Sequence, residues 1–269
     1  MTTYLLKFGG NAIRGREDML RLARGAKKLK DEGARLILVH GGGPEISAEM
    51  EAAGITPRKV AGMRITDDAA LEITEKVLRR INLDVVDALT ETGVEALGVP
   101  GHMVASFVRK PPFTVIENGK ETVVDLLNVG EVVSADRYVM GDLLDDGIVP
   151  VVYPIGADGS GNLLNVNADS MAAGLAAGLG CDEMIQITDV PGILLDVNDH
   201  STLQCQLTLP EVDALIRDGT ISGGMIPKVE ACRRALLAGV PRVRMVNGRD
   251  ESTDVSEAME DGHGTVITQ

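Results

Sequence analysis

Two patterns of apolar residues alternate along the chain. Short runs rich in leucine and β-branched residues predict buried strands, and stretches with apolar residues at every third or fourth position predict amphipathic helices. The predicted strands are residues 4–8, 35–39, 94–98, 149–155, 183–188 and 242–246. The predicted helices are residues 17–32, 68–92, 169–179 and 227–238.

The order of these elements indicates the fold class. Strand, helix and strand in succession form right-handed βαβ units, which predict an α/β fold with a mainly parallel open sheet covered on both faces. Asp67 and Asn167 precede helical patterns and are candidate N-caps. We place a boundary near residue 160, between an N-terminal lobe (1–160) and a C-terminal lobe (161–269).

One segment departs from the βαβ pattern. Residues 104–108, 114–117 and 121–125 are short strand candidates, and Asn118-Gly119 is a strong hairpin turn. We expect antiparallel hairpins that form a flap on the parallel core. A second hairpin turn is expected at residues 157–162.

Composition excludes several classes of function. The 269 residues are 44% hydrophobic, which suffices for a large core, and the net charge of −14 argues against nucleic acid and anionic membrane as partners. The chain contains neither a membrane-spanning apolar run nor a signal-peptide pattern, so we expect a cytoplasmic protein. Cys181, Cys205 and Cys232 are widely spaced, so no protein-bound metal is predicted.

Two lysines beside glycine-rich turns are the main candidates for catalytic residues. Lys7 ends the first strand before Gly9-Gly10-Asn11, and Lys228 ends the segment 222–228. Gly41, Gly42 and Gly43 follow the second strand and open a helix, where backbone N–H groups bind anions. Fixed cations with N–H groups suit phosphoryl transfer. Taken singly, the Lys7 motif could also be a strand that ends in a turn with a solvated lysine, and the Gly41–Gly43 motif could be a tight loop without function.

Polar residues at other strand ends extend this site. Arg64 precedes the long helix and is either a bidentate carboxylate clamp or part of a surface ion pair. Asn165 and Asn167 face one side of their strand. Asp169 could ion-pair with both lysines, although helix capping would also explain Asn167 and Asp169. Parallel strands bring their carboxyl ends to one edge, so these residues are expected to meet.

Six motifs resemble the amino-acid kinase family in content and order. They are residues 7–11, 39–45, 62–66, 165–169, 188–192 and 222–228. The resemblance implies a three-layer αβα sandwich, with an acyl amino acid bound by the N-terminal lobe and ATP by the C-terminal lobe. Within the family, the chain is similar to the branch that phosphorylates the side-chain carboxylate of N-acetyl-L-glutamate to an acyl phosphate, the second step of arginine biosynthesis.

The resemblance also implies roles for individual residues. Lys7 and Lys228 would stabilise the transferring phosphoryl group, and Asp169 would hold them in register. Substrate contacts would come from Gly42, Gly43, Arg64, Asn165 and Asn167. Nucleotide contacts would come from Gly9, Gly10, Thr188, Asp189, Gly192, Ile193, Ser222 and Met225. Mg²⁺ would accompany ATP and be held mainly by phosphate oxygens.

Departures from the family pattern leave two alternatives open. His102-Met103 stands where many relatives have Lys-Asp, and Leu83 follows Asn82 where Asn-Lys is usual. The chain could instead act on 2-aminoadipate or glutamate attached to an acidic carrier protein, or could be a non-catalytic amino-acid sensor. The short Gly62-Met63-Arg64 form and the charge of −14 disfavour a carrier protein, and retention of both lysines with Asp169 disfavours a sensor.

The resemblance bears on assembly as well. Relatives inhibited by arginine carry an extra N-terminal helix that interlaces dimers into a hexamer. Here only Met1–Thr3 precede the first predicted strand, which is too short for a helix. We therefore expect a homodimer joined by the N-terminal lobes along the helix 68–92, without inhibition by arginine.

Overall fold

A computed structural model describes residues 1–10, 12–13, 15–117, 120–260 and 262–269. Asn11 of the first glycine turn and the predicted Asn118-Gly119 turn therefore lie outside the described residues. None of the helices within the described ranges combines the length and the apolar character that crossing a bilayer requires.

Eight strands of the described chain form a central sheet. All neighbouring pairs run parallel except one, Val243–Asn247 with Thr265–Thr268. From one edge to the other, the strands are β14 (Gln206–Thr208), β16 (Thr265–Thr268), β15 (Val243–Asn247), β13 (Glu183–Thr188), β1 (Thr3–Phe8), β2 (Arg35–His40), β10 (Val149–Tyr153) and β5 (Ala96–Pro100).

The helices of the described chain flank this sheet. They are α1 (Arg16–Asp31), α2 (Gly43–Ala52), α3 (Asp68–Glu91), α4 (Arg137–Asp145), α5 (Ala168–Leu179), α6 (Leu209–Arg217) and α7 (Met225–Leu237). Both predicted caps are confirmed: Asp67 accepts a hydrogen bond from the Ala70 N–H before α3, and Asn167 accepts one from the Ser170 N–H before α5.

Alternating side chains divide the core into two layers. On β1, Leu6 and Phe8 pack with α1 and α3, whereas Leu5 points to the opposite face and packs with α5 and α7. The predicted three-layer αβα sandwich is therefore confirmed. Lys7 lies on the same face of the strand as Leu5, which directs it toward α5.

The predicted antiparallel hairpin is confirmed, since residues 113–117 pair with residues 120–124, but the other strands of this region belong to a second sheet that was not predicted. A separate four-stranded sheet has the order β11 (Ile155–Ala157), β12 (Leu163–Val166), β9 (Val129–Ala135) and β6 (Ala105–Arg109). Its β9–β12 pair is parallel and joins distant segments, which local turn signals do not indicate. Two hairpins stand apart from both sheets: β3 (Lys59–Val60) with β4 (Met63–Arg64), and β7 (Phe113–Glu117) with β8 (Lys120–Val124).

The predicted strand 149–155 is also wrong as a single element. It divides at Pro154 into β10 of the main sheet and β11 of the smaller one. Proline has no N–H to donate to a ladder, so the chain leaves the first sheet at this residue. The predicted turn at residues 157–162 is confirmed, since Ala157 pairs with Leu163 across it.

Candidate active site

Two glycine turns meet at the carboxyl edge of the main sheet. β1 pairs with β2 and β13, so the turns after Phe8 and His40 leave the sheet side by side. A Cβ at Gly9 would lie 3.0 Å from the Gly41 nitrogen, so a side chain there would push the two turns apart. The Gly41 N–H donates to the Phe8 carbonyl at 2.9 Å and fixes the two turns together.

A cavity of about 290 Å³ opens beside these turns, and we call it the Arg64 cavity. Its wall combines both glycine turns with residues from β4, β12 and the start of α5. Among the predicted site residues, it is lined by Lys7, Gly9, Gly10, Gly42, Gly43, Arg64, Asn165, Asn167 and Asp169.

Arg64 is a buried cation, and no carboxylate of the described chain pairs with it. Its side chain is held by the Gly43 carbonyl (Nη2 to O, 3.1 Å), the Ser47 hydroxyl (Nη2 to Oγ, 2.8 Å) and the Met50 sulfur (Nη1 to Sδ, 3.2 Å). Burial lowers the pKa of the guanidinium from its ordinary value. A buried cation without a counter-ion favours an anionic ligand in this cavity.

The two asparagines on this wall are used differently. Asn165 donates from Nδ2 to the Thr66 hydroxyl at 3.0 Å, which holds its amide against the loop that carries Arg64. Asn167 accepts the Ser170 N–H at 3.0 Å, so its Oδ1 is committed to capping α5. Helix capping therefore accounts for Asn167. The side-chain oxygen of Asn165, Oδ1, remains for a ligand.

Each lysine pairs with its own aspartate. Lys7 Nζ lies 2.5 Å from Asp169 Oδ1, and Lys228 Nζ lies 2.9 Å from Asp189 Oδ1. The expectation that Asp169 pairs with both lysines is wrong in this structure, because Asp189 at the end of β13 is the carboxylate that Lys228 on α7 meets. The hydrogen bond from Lys228 holds the pKa of the Asp189 carboxyl below its usual value.

A second cavity, of about 210 Å³, extends from the first; we call it the Lys228 cavity. Its wall includes Thr188, Asp189 and Lys228. It shares Lys7, Gly9 and Asp169 with the Arg64 cavity, so the Lys7–Asp169 pair stands where the two cavities join.

The remaining predicted nucleotide residues lie outside both cavity walls. Ile193 is buried and donates its N–H to the Thr265 hydroxyl at 2.8 Å, and Gly192 packs against the same threonine. Ser222 is exposed in the turn before α7, where its carbonyl accepts the Met225 N–H at 3.1 Å. A role for these four residues in binding nucleotide stays a prediction.

Gln186 is a wall residue that the sequence analysis missed. It lies beside Lys7 in the register of β1 and β13, is 4% exposed and lines the Lys228 cavity. The Cys232 thiol donates to its Oε1 at 3.6 Å. An amide side chain between Ile185 and Ile187, within a fully buried strand, is the signal that could have identified it.

Comparisons with known proteins identify a family and relatives of this chain. The family model described as the amino acid kinase family matches residues 2–247. Two relatives named acetylglutamate kinase are each 40% identical: that of Methanococcus maripaludis, over 98% of this chain and 91% of the relative, and that of Methanocaldococcus jannaschii, over 99% and 90%.

Solved structures share the fold at lower identity. Carbamate kinase from Giardia superposes with a TM-score of 0.68 at 18% identity, covering 100% of this chain and 99% of that one. N-acetylglutamate synthase from Neisseria gonorrhoeae superposes with a TM-score of 0.79 at 22% identity, covering 99% of this chain and 61% of that one.

Proposed function

The chain belongs to the amino acid kinase family, and from that membership we propose that it transfers the γ-phosphoryl group of ATP to the side-chain carboxylate of N-acetyl-L-glutamate. The product is an acyl phosphate, and the reaction is the second step of arginine biosynthesis. Relatives named acetylglutamate kinase match nearly the whole chain at about 40% identity, which supports this acceptor over the alternatives.

The main support for this proposal is the junction of the two cavities. The Arg64 cavity presents a buried cation and free N–H groups to an acceptor, and the Lys228 cavity presents a lysine to phosphate. Both open onto Lys7 and Asp169. An acceptor in the first cavity and a nucleotide in the second would therefore bring the attacked phosphorus and the attacking carboxylate to Lys7.

In this arrangement Arg64 binds the α-carboxylate of the acceptor. Its guanidinium is already oriented by Gly43 and Ser47, so little freedom is lost when the carboxylate arrives. Asn165 contacts the acetamido group. Asn167 caps α5 and so positions the start of that helix. The N–H groups of Gly42 and Gly43 precede the first intrahelical bond of α2. These two N–H groups are therefore available to the attacking side-chain carboxylate.

Phosphoryl transfer needs charge stabilisation more than covalent chemistry from the protein. Lys7 and Lys228 neutralise the negative charge on the transferring group, while Asp169 and Asp189 hold the two ammonium groups at the ends of β1 and β13. The Gly9 and Gly10 backbone, with Thr188, contacts phosphate. Gly192, Ile193, Ser222 and Met225 complete the nucleotide site.

The residues of the Lys228 cavity suit a nucleotide phosphate that arrives with Mg²⁺. Lys7 and Lys228 supply cations, and Asp169 and Asp189 supply carboxylates within the same wall. When bound, Mg²⁺ is held mainly by phosphate oxygens and offsets charge on the nucleotide.

The order of strands supports two lobes that meet at this site. β1, β2, β5 and β10 all precede residue 160 and form one half of the main sheet, and the strands after residue 160 form the other half. We assign the acceptor and dimerisation to residues 1–160 and ATP to residues 161–269. β1 and β13 form the seam between the lobes, and Lys7 and Asp189 lie at its carboxyl end.

We further propose a cytoplasmic homodimer. Leu83 on α3 is 57% exposed, and Leu97 on the end strand β5 is 46% exposed. Both lie on the N-terminal lobe at the free edge of the main sheet, where a second copy would cover them in a closed two-fold pair.

A comparison of acceptors tests the proposed reaction. ATP, Mg²⁺ and hydroxylamine are supplied with N-acetyl-L-glutamate, N-acetyl-2-aminoadipate, glutamate or carbamate, and the acyl hydroxamate is measured for the first three and ADP release for all four. We expect N-acetyl-L-glutamate to exceed the homologue with one more methylene by about tenfold or more in kcat/KM. Preference for any other acceptor, or turnover only with a carrier-bound substrate, would reject this assignment.

A further inference from the structure

Two buried polar side chains lie beneath the second glycine turn. His40, the last residue of β2, is fully buried, and Asn82, in the middle of α3, is 3% exposed. Neither residue lines the Arg64 cavity or the Lys228 cavity. A buried imidazole and a buried amide usually satisfy a specific hydrogen-bonding need, so their partners indicate what they do.

The hydrogen bonds of this pair fix the tautomer of the imidazole. His40 Nδ1 lies 3.0 Å from the Gly41 carbonyl oxygen, which can only accept, so Nδ1 carries the proton. His40 Nε2 is then an acceptor, and Asn82 Nδ2 donates to it at 3.1 Å. The same amide nitrogen donates to the Val151 carbonyl oxygen at 2.8 Å, so both amide protons are used.

The neighbouring strand is shaped to admit this amide. A Cβ at Gly98 would lie 2.1 Å from Asn82 Oδ1, so the end strand β5 accommodates the amide only because position 98 is glycine. Reversing the amide would set its oxygen against the Val151 carbonyl and against the lone pair of His40 Nε2. The orientation of the amide is therefore determined from two sides.

The consequence falls on the peptide between Gly41 and Gly42. In a trans peptide the C=O and the following N–H point in opposite directions. Because His40 holds the Gly41 carbonyl toward the buried side, the Gly42 N–H is directed away from it, toward the Arg64 cavity that Gly41 and Gly42 line. α3 also supports the turn directly, since a Cβ at Gly42 would lie 2.7 Å from Ile81 Cδ1.

We propose that His40 and Asn82 are positioning residues for phosphoryl transfer: they hold the Gly41–Gly42 peptide so that the Gly42 N–H is aimed at the oxygens of the reacting carboxylate. This role rests on the proposed function of the Arg64 cavity. Neither residue touches substrate. Both act through a backbone donor whose direction must be set before the reaction, since reorienting it during the reaction would cost rate.

Three variants separate positioning from packing. His40→Asn carries an amide nitrogen near the place of Nδ1 and keeps a donor for the Gly41 carbonyl, whereas His40→Gln carries its amide near Nε2 and loses that donor. Asn82→Leu removes the donor to the imidazole at similar volume. We expect His40→Gln and Asn82→Leu to lower kcat by about 10- to 100-fold, with KM for ATP changed less than about twofold. His40→Asn should recover most of the loss seen in His40→Gln.

The outcomes distinguish failure of the positioning role from failure of the proposed function on which it rests. If the wild-type protein forms no acyl phosphate from N-acetyl-L-glutamate, the proposed function fails, and this role fails with it. If the wild type is active and His40→Gln retains its kcat, only the positioning role is rejected. Equal losses in His40→Asn and His40→Gln would likewise reject it, because packing alone would then explain both.

A measurement on the wild-type protein tests the proposal even if the variants fail to fold. Long-range ¹H–¹⁵N correlation of the imidazole nitrogens reports the tautomer directly. We expect the neutral form of His40 protonated at Nδ1 throughout the pH range of activity. The form protonated at Nε2 would contradict the hydrogen-bond assignment and the proposal together.

Discussion

At the scale of single residues, the two lysines that line the Lys228 cavity are held by separate aspartates. Lys7 pairs with Asp169 on α5, and Lys228 pairs with Asp189 at the end of β13. One shared carboxylate would draw both ammonium groups to one point, whereas two carboxylates let the cations lie on different sides of a transferring group. This separation suits charge that spreads over several phosphoryl oxygens.

Removing Lys228 tests this account. Lys228→Ala should lower kcat by about 10²–10³-fold while KM for ATP changes much less, because the lysine acts mainly on transition-state charge. Steady-state kinetics with N-acetyl-L-glutamate measure both constants. Lys76→Ala is the matched control, since Lys76 is 73% exposed on α3 and its nearest carboxylate oxygen, on Glu49, is 3.9 Å away. A Lys228→Ala enzyme that keeps most of its turnover would exclude the two-lysine mechanism.

His40 gives a pH dependence of stability. Burial lowers the pKa of His40 from 6.5 to about 4. The unfolded chain takes up a proton at this histidine below about pH 6.5 and the folded chain does not, so its contribution to stability falls as pH falls through this range. Between pH 6.5 and 5 the loss is roughly 1.5 kcal/mol, because each pKa unit corresponds to roughly 1.4 kcal/mol and the unfolded histidine is already half protonated at pH 6.5.

Urea unfolding of the wild type and of His40→Asn at several pH values measures this loss. Other groups titrate in both proteins, so the difference between the two curves isolates His40. The wild type should lose more stability than the variant as pH falls from 6.5 to 5. Parallel curves for the two proteins would show that His40 titrates normally.

The sequence predicted which residues form the site, but it did not predict all of their ion-pair and hydrogen-bond partners. Lys7, Arg64 and Asp169 were expected at one sheet edge, and the structure places all three in the wall of one cavity. The Lys228–Asp189 pair was not expected, because it depends on how α7 lies against β13. The His40–Asn82 bond was missed for the same reason: it joins residues 42 positions apart in a buried layer.

At the scale of elements, helix α1 is held against the C-terminal part of the chain. A Cβ at Gly25 would lie 2.6 Å from Val255 Cγ1 and 2.8 Å from the Val255 nitrogen. Lys28, one turn further along, forms ion pairs with Asp254 and Glu257. The glycine thus permits backbone contact between α1 and residues 254–257, and the ion pair between the two exposed side chains of Lys28 and Glu257 adds little to it.

Two glycine-to-alanine changes test this packing. At Gly25 the new methyl group must displace backbone, so Gly25→Ala should destabilise the protein by about 1–3 kcal/mol despite the better helix propensity of alanine. At Gly141 in α4 nothing lies within 4 Å of the new Cβ, so Gly141→Ala should stabilise it by about 0.5–1 kcal/mol. Thermal unfolding measures both changes, and a stabilising Gly25→Ala would contradict the close contact.

Elements with a clear apolar pattern were predicted well, and elements without one were not. The predicted strand 183–188 is β13, and the predicted helix 68–92 differs from α3 by one residue. Helices α4 and α6 have nine residues each and show too few turns for a clear period. A capping box at Thr208 and Glu211 marks the start of α6 and was the available signal.

At the scale of the whole molecule, the apolar residues at the free edge of the main sheet test the proposed dimer. Leu83→Lys places a charge in the proposed contact, so light scattering should show a mass of two chains for the wild type and a shift toward one chain for the variant. Leu195→Lys is the control, because Leu195 is similarly exposed but lies in the C-terminal half. A dimer unaffected by Leu83→Lys would place the contact elsewhere.

The central claim is that a carboxylate oxygen of N-acetyl-L-glutamate attacks the γ-phosphorus of ATP at the junction beside Lys7. If so, that oxygen bridges carbon and phosphorus in the product. Hydroxylamine then attacks the acyl carbon and releases phosphate that retains the bridging oxygen. Acceptor labelled with ¹⁸O in its side-chain carboxylate therefore traces the bond that forms.

Mass spectrometry of the released phosphate gives the most direct measurement. The account predicts that each phosphate formed together with hydroxamate carries one ¹⁸O atom from the acceptor, and that Lys228→Ala lowers hydroxamate and labelled phosphate in parallel. Phosphate without the label would mean that water, and not the carboxylate, receives the phosphoryl group, and would contradict the account.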